Sequence, residues 1–112
     1  MIKKSFGGAL TASYTTIYEV PANKKAEWVL LYVVNDTGST SNFSVRLYKA
    51  AADVNIQIFD DKSLNDGEFF KIGGGYNEFI MLAAGDKVEA VDGAGMTLLI
   101  SIIEYNDIIQ GG

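Results

Sequence analysis

The feature that most constrains the fold is the segment at residues 15–35, TTIYEVPANKKAEWVLLYVVN. It begins as a short β-branched strand, and Pro21 then marks a corner, because proline has no amide hydrogen to donate to a sheet. The strand that follows is apolar on both faces, since side chains alternate between the two faces of a strand. One predicted face holds Trp28, Leu30, Tyr32 and Val34, and the other holds Val29, Leu31 and Val33. The segment therefore predicts a sandwich strand with more apolar surface than one small core requires.

The rest of the chain follows the two-residue period of strands, and no segment has the period of an amphipathic helix. Turns rich in Gly and Asp separate the apolar segments. We predict strands near residues 15–20, 25–35, 42–49, 54–60, 67–72, 77–82, 86–91 and 96–105, with a ragged strand near 8–13. This spacing predicts an all-β fold, an antiparallel β-sandwich, jelly-roll-like, of about eight strands. Residues 1–112 are predicted to form a single domain, with residues 1–8 as a flexible or docking arm.

Composition excludes several classes of function. The net charge of −5 argues against nucleic acid or an anionic membrane as a partner. The sequence has no Cys, so it has no disulfide framework and no thiolate metal site. It has no His, the commonest general base and metal ligand. No apolar run has the length of a membrane helix, and the basic start at Lys3 and Lys4 is not followed by the apolar core of an export signal.

The densest carboxylate cluster is DDKSLNDGE at residues 60–68, which in principle could hold a hard cation such as calcium. The EF-hand pattern fails, because Lys62 and Leu64 stand at ligand positions in one register and Ile72 replaces the closing Glu in the other. We therefore predict a solvated loop between two strands and no bound metal or other cofactor.

The glycine run at residues 73–75 resembles a phosphate-binding loop only superficially. Such a loop needs a helix after it, and the following residues read as strand, so a hairpin or corner turn is predicted. Without His or Cys, no Ser, Thr or Lys has the neighbours that would activate a nucleophile. The sequence predicts no catalytic residues and no enzyme.

The second apolar face is the sharper indication of function. In the predicted strand at residues 96–105, the minor face also carries Leu99, Ile103 and Tyr105. Either the chain covers these faces itself, with Ile2 and Phe6 or with Ile108 and Ile109, or another chain covers them. We expect a homo-oligomer or a component docked on a larger assembly. The candidate interface residues are Val29, Leu31, Val33, Leu99, Ile103 and Tyr105.

An alternative function comes from the aromatic residues, because aromatic rings on a sheet can form a platform on which sugars stack. The candidates are Trp28, Tyr32, Tyr48, Tyr76 and Tyr105. This alternative is a carbohydrate-binding β-sandwich module.

Four segments, in order, resemble a group of small virion proteins from tailed bacteriophages. The segment YTTIYEVPANK at residues 14–24 resembles the opening of that group, although Asn23 stands where the group usually has Gly. An apolar strand ending in Asn35 and a loop of small residues follow, then a Leu-x-x-Gly-Asp turn at residues 82–86. A final strand of the Ser-x-x-Glu type, at residues 101–104, completes the resemblance.

The resemblance implies a structural component of the virion, which oligomerises and binds other virion proteins. Capsid decoration is favoured over a tail, neck or fibre accessory role. It implies no catalytic residues, and the net charge of −5 argues against nucleic acids and membranes as partners. An acidic, cysteine-free sandwich suits this role, since such proteins act through contact area in many copies.

Overall fold

A computed structural model describes residues 2–75 and 79–107, and in these ranges the chain forms nine β-strands. The strands are β1 (Ile2–Ala9), β2 (Thr15–Glu19), β3 (Lys24–Val34), β4 (Ser41–Lys49), β5 (Val54–Leu64), β6 (Phe69–Gly73), β7 (Ile80–Leu82), β8 (Lys87–Val91) and β9 (Thr97–Asn106).

The strands form two antiparallel sheets. Sheet I has the order β1-β9-β3-β6, with β7 also paired to β3, and sheet II has the order β2-β8-β4-β5. These orders are those of a jelly roll in which β7 is an addition next to β6. The predicted antiparallel β-sandwich is confirmed.

The core lies between the sheets and follows the alternation of the strands. In β9 the buried apolar residues are Leu98, Ile100 and Ile102, and in β4 they are Phe43, Val45 and Leu47. Each such side chain contributes roughly 1.5–3 kcal/mol through its removal from water. The two-residue period that predicted these strands is therefore also the pattern that builds the core.

Buried polar side chains tie the ends of the sandwich. Asp86 accepts hydrogen bonds from the Lys49 ammonium at 2.7 Å and from the amides of Ala50 and Ala83 at 2.9 Å each. At the other end, the amide group of Asn35 donates to two backbone carbonyls at 2.8 Å. These polar groups fix loops that have few apolar residues of their own.

The corner at Pro21 is closed by a backbone hydrogen bond from Lys24 to the Pro21 carbonyl, at 3.2 Å. Asn23 within this corner has a φ of 64°. Asn tolerates this left-handed conformation better than most residues, and Gly adopts it without strain. The Asn at this position therefore keeps the backbone conformation that Gly would allow.

The start of the chain differs from the prediction. Residues 1–8 were expected to form a flexible or docking arm, but β1 pairs with β9 at eight successive positions. The Phe6 ring also packs on the Tyr18 ring, with 4.8 Å between centroids. Lys3, Lys4 and two glycines hide the strand pattern, and pairing with a long neighbour overrides that weak local preference.

The acidic cluster also differs from the prediction of a loop, because β5 continues to Leu64. Asp61 adopts a φ of 51° at an irregularity in the pairing with β4, and its amide donates to the Ser44 hydroxyl at 2.9 Å. In the turn that follows, the carboxylates of Asp66 and Glu68 accept hydrogen bonds from the amides of Gly38 and Asn65. A β-bulge, which the sequence pattern does not reveal, lets the strand continue through these charges.

Candidate interaction surface

A β-bulge in β3 decides which residues face the core. The register between β3 and β9 shifts between Trp28 and Leu30, so that Val29 is the extra residue. Trp28 before the bulge and Leu31 and Val33 after it are all buried in the core. The prediction that Leu31 and Val33 form an interface is therefore wrong, because their exposed fractions are 2% and 0%.

The outer face of sheet I carries the other predicted residues of β9. Leu99 is 39% exposed there, and Ile103 and Tyr105 are half-buried. They are paired with Tyr32, Glu27 and Lys25 of β3, and the Tyr105 hydroxyl donates to Glu27. Leu30 and Val34 lie on the same face, and the Phe69 ring stacks on the Tyr32 ring with 5.7 Å between centroids.

The predicted covers do not lie over this face. Phe6 packs on Tyr18 between the two sheets. Ile2 pairs with Glu104, so its side chain lies on the same inward face as the buried Glu104 side chain. Ile108 and Ile109 lie outside the described residues. Within residues 2–107 as described, the outer face of sheet I keeps its apolar surface.

A cleft of about 220 Å³ opens at the side of the sandwich between β5 and the pair β6 and β7. We call it the edge cleft. Its floor is formed by Trp28, Val29 and Leu31 of β3, and its rims include Ile58 of β5 and Ile72 of β6. The indole nitrogen of Trp28 donates to the Leu30 carbonyl at 3.0 Å. The lining of the edge cleft is apolar, and the Trp28 indole N–H in it is already hydrogen-bonded within the chain.

Most of the exposed apolar residues lie on the strands that border the edge cleft. Nine large hydrophobic side chains are exposed among the described residues, and seven of them belong to β5, β6, β7 and the adjoining Phe79. These seven are Val54, Ile56, Phe69, Ile72, Phe79, Ile80 and Met81. Single exposed hydrophobic residues are ordinary, but several on neighbouring strands indicate an interaction site, and Ile72, Phe79 and Ile80 line the cleft itself.

The opposite side of the sandwich is closed by a polar network. The Tyr18 hydroxyl donates to the buried Glu104 carboxylate at 2.6 Å, and the Lys4 ammonium lies 3.1 Å from the same group. The hydrogen bond from Tyr18 lowers the pKa of Glu104, burial opposes this effect, and Lys4 lowers the pKa further. Burial and the bond to Glu104 raise the pKa of Tyr18. Three strands, β1, β2 and β9, are joined by these groups.

Sequence reasoning did not assign a role to Glu104 or Tyr18. Both residues stand in the segments that resemble the phage proteins, and that position is the only signal in the sequence that could have indicated them. Their partnership joins residues 86 positions apart, which no local pattern predicts.

We expect Tyr18→Phe to lower the free energy of unfolding by about 2 kcal/mol at pH 7, because Glu104 loses a hydrogen bond to its buried charge. Since the pKa of Glu104 is depressed in the folded state, its contribution is present above the unfolded value of about 4.3 and is lost as the pH falls through the folded value. The difference between wild type and variant should therefore shrink in acid. Urea unfolding at several pH values measures it.

The matched control is Tyr105→Phe, which removes a similar hydroxyl–carboxylate bond from the outer face of sheet I. Water replaces that bond, so a small effect is expected. Equal losses in the two variants would contradict a special role for the Tyr18–Glu104 pair.

The predicted aromatic platform is divided among different parts of the molecule. Trp28 is buried, Tyr32 and Tyr105 lie on the outer face of sheet I, and Tyr48 lies on sheet II with its hydroxyl 2.6 Å from Asp53. Tyr76 lies outside the described residues. The four described residues therefore do not share one face.

Other polar groups are held within the fold. Every buried side-chain nitrogen or oxygen in the described ranges has a hydrogen-bond partner. Those ranges contain no group of three His, Cys, Asp or Glu side chains placed to hold a metal ion. They also contain no helix long and apolar enough to cross a membrane.

Comparison with known proteins adds a likeness in fold. The sequence matches no family model and no curated protein. A solved structure titled "Bacillus endospore appendages form a novel family of disulfide-linked pili" is similar to this chain, with a TM-score of 0.55 and 16% identity. The match covers 94% of this chain and 85% of the other. At this identity the likeness concerns the fold alone.

Proposed function

We propose that this protein is a structural subunit of a tailed-bacteriophage virion, which acts by binding other virion proteins and copies of itself. The observation that carries the proposal is the concentration of exposed apolar side chains around the edge cleft. Four segments resemble phage virion proteins in the same order, and this resemblance supports the assignment to a phage virion. The fold likeness to a pilus protein of Bacillus spores is compatible with a subunit that works by assembly.

The energetics of the exposed patch favour a binding role. Burial of one more Leu, Ile or Phe side chain contributes roughly 1.5–3 kcal/mol, so a few of the seven exposed residues suffice for a stable contact. The similar pilus is described as disulfide-linked, whereas this sequence contains no Cys. Contacts made by this chain are therefore not disulfide-linked, and we expect them to depend on area and complementarity.

Within the virion, we favour decoration of the capsid over a tail, neck or fibre role. A decoration protein presents one surface to the shell and the rest to the medium. The chain has an apolar side at the edge cleft and a net charge of −5, which suits a surface in contact with water. The proposed site of contact and the proposed exposed surface are thus different parts of one molecule.

The test is the content of purified virions. Particles from the source culture, purified on a density gradient, are expected to contain this chain in many copies by quantitative mass spectrometry. Antibody labelling seen by electron microscopy should place it on the capsid. Presence only in the particle-free fraction would refute the proposal, and specific binding on a glycan array would then favour the carbohydrate-binding alternative.

A further inference from the structure

The edge cleft lies between two strands that each have an open side. In sheet II, β5 is the last strand of the order β2-β8-β4-β5, and in sheet I, β6 is the last strand of the order β1-β9-β3-β6. Edge strands with apolar side chains are prone to contact other chains. Ile56 on β5 is 47% exposed, and Ile72 on β6 is 49% exposed. Both open edges therefore carry exposed apolar residues, and Ile58 of β5 and Ile72 of β6 line the cleft itself.

Of the two lateral sides of the sandwich, only the side at the edge cleft carries several exposed apolar residues. On the opposite side of the sandwich, β1 and β2 contribute one exposed large hydrophobic residue, Ile2. The exposed residues of β2 are Thr15, Thr16 and Glu19. A contact between the edge cleft and the β1–β2 side would bury an apolar surface against a polar one. Of these two sides, the edge-cleft side is matched best by another copy of itself, as in an isologous contact.

Charge selects the orientation of such a contact. Asp60 and Asp61 lie near the end of β5, and Lys71 lies near the start of β6, and all three are exposed. A four-residue turn joins these two strands, so the acidic and basic residues lie at the same end of the sandwich. Lys62, between them, points across the sandwich towards the Phe70 ring at 5.1 Å. A twofold axis parallel to the strands would place Lys71 of each copy opposite the acidic pair of the other.

Strand direction is compatible with this arrangement. Because β4 pairs antiparallel with β5 and β3 pairs antiparallel with β6, the short turn between β5 and β6 makes these two strands run in opposite directions. Rotation about an axis parallel to the strands leaves their directions unchanged. Each β5 would then lie antiparallel to β6 and β7 of the other copy, which is the relation that neighbouring strands have throughout this fold.

We propose that the edge cleft is the contact between two copies of this chain, related by a twofold axis parallel to the strands, with β5 of each copy lying along β6 and β7 of the other. This inference rests on the proposed function, because it names the partner and the surface through which the subunit assembles. Trp28 forms the cleft floor in each copy, and it is the only Trp in the sequence. Its fluorescence therefore reports on whether the cleft is occupied.

The first experiment compares wild type, Ile56→Asp and Leu99→Asp by sedimentation velocity over a wide range of concentration. Leu99 is the matched control, since it is 39% exposed on the outer face of sheet I. We expect wild type and Leu99→Asp to be dimers and Ile56→Asp to dissociate at least about a hundredfold more readily, because an unpaired carboxylate enters an apolar contact. Trp28 emission is expected to change as wild type dimerises, because the indole lines the cleft.

The second experiment exchanges charges and does not depend on one apolar substitution. Lys71→Glu is expected to weaken the dimer, and the triple variant that adds Asp60→Lys and Asp61→Lys is expected to restore it. Circular dichroism and melting curves establish that each variant is folded. Failure of the triple variant to restore association, with all variants folded, would overturn the proposed orientation.

The outcomes separate this inference from the proposed function. If Leu99→Asp dissociates the dimer and Ile56→Asp does not, the edge-cleft dimer is overturned, and the contact between copies is assigned to the outer face of sheet I. A wild-type protein that stays monomeric at all concentrations would also overturn it. If such a monomer still enters virions and loses that ability on Ile56→Asp, the occupant is a different virion protein and the proposed function stands. Absence from virions refutes the proposed function whatever the oligomeric state.

Discussion

Replacement of Asp86 by Asn is expected to lower the free energy of unfolding by about 3 kcal/mol. The Asp86 carboxylate is fully buried and accepts from the Lys49 ammonium and from the amides of Ala50 and Ala83. The Asn side chain has one acceptor oxygen, so its amide group must face one of these donors. Chemical unfolding followed by Trp28 fluorescence measures the loss.

The pH dependence of this effect follows from the pKa of Asp86. Burial alone would raise that pKa, but the bonds from Lys49, Ala83 and Ala50 outweigh burial and hold it below its ordinary value. The carboxylate therefore stabilises the fold above the unfolded pKa of about 3.9, and this contribution is lost as the pH falls through the folded value. The difference between wild type and Asp86→Asn should be constant near neutral pH and should shrink below about pH 4.

The matched control is Asp53→Asn in the neighbouring turn. Asp53 is exposed, it has a φ of 52°, and it accepts one hydrogen bond from Tyr48. Asn tolerates that backbone conformation and can accept the same bond, so little change is expected. If the control lost as much stability as Asp86→Asn, the buried Asp86 carboxylate and its hydrogen bonds would have no particular importance for stability.

Gly73→Ala is expected to cost at least about 3 kcal/mol, because two unfavourable effects act at one position. Gly73 has a φ of 85°, which L-residues with a side chain rarely adopt. A Cβ atom built there would lie 2.3 Å from the carbonyl oxygen of Val29, which accepts the amide of Gly74 at 2.6 Å. The backbone at the edge of the cleft would have to move, and urea unfolding is again the measurement.

Gly67→Ala separates the two effects. Gly67 has a φ of 83°, but a Cβ atom added there meets nothing within 4 Å. We expect a loss of about 1 kcal/mol, from backbone conformation alone. If the two substitutions destabilised the protein equally, close approach between Gly73 and Val29 would not be the cause.

The alternation of apolar residues was sufficient to predict the sandwich and most of its strands. Strands β4, β8 and β9 each keep one register of alternation between core and outer positions, so their core residues follow directly from the sequence. The turn residues also indicated where the strands end. Two-residue periodicity depends only on the local chain, and it is therefore the most predictable part of a fold of this kind.

The edge cleft could not be predicted in the same way. Its floor depends on the bulge at Val29, which reverses the alternation in the middle of β3 and sends Leu31 and Val33 into the core. Its rims come from β5 and β6, which belong to different sheets. Bulges and the gaps between sheets arise from pairing over long sequence distances, and neither leaves a periodic signal. The sequence indicated surplus apolar surface, and only part of it lies where the alternation placed it.

The pairing of β1 with β9 has a mechanical consequence. Ile2 lies opposite Glu104 and Ala9 lies opposite Thr97, so Ile2 and Asn106 are close to the same end of this antiparallel ladder. Tension applied between these two residues would break the hydrogen bonds between β1 and β9 one pair after another, which requires little force at any moment. Force applied at the sides of the sandwich would instead act on many of these hydrogen bonds at once. A subunit built in this way withstands strain when its neighbours contact its sides, and it yields when it is pulled by its first and last strands.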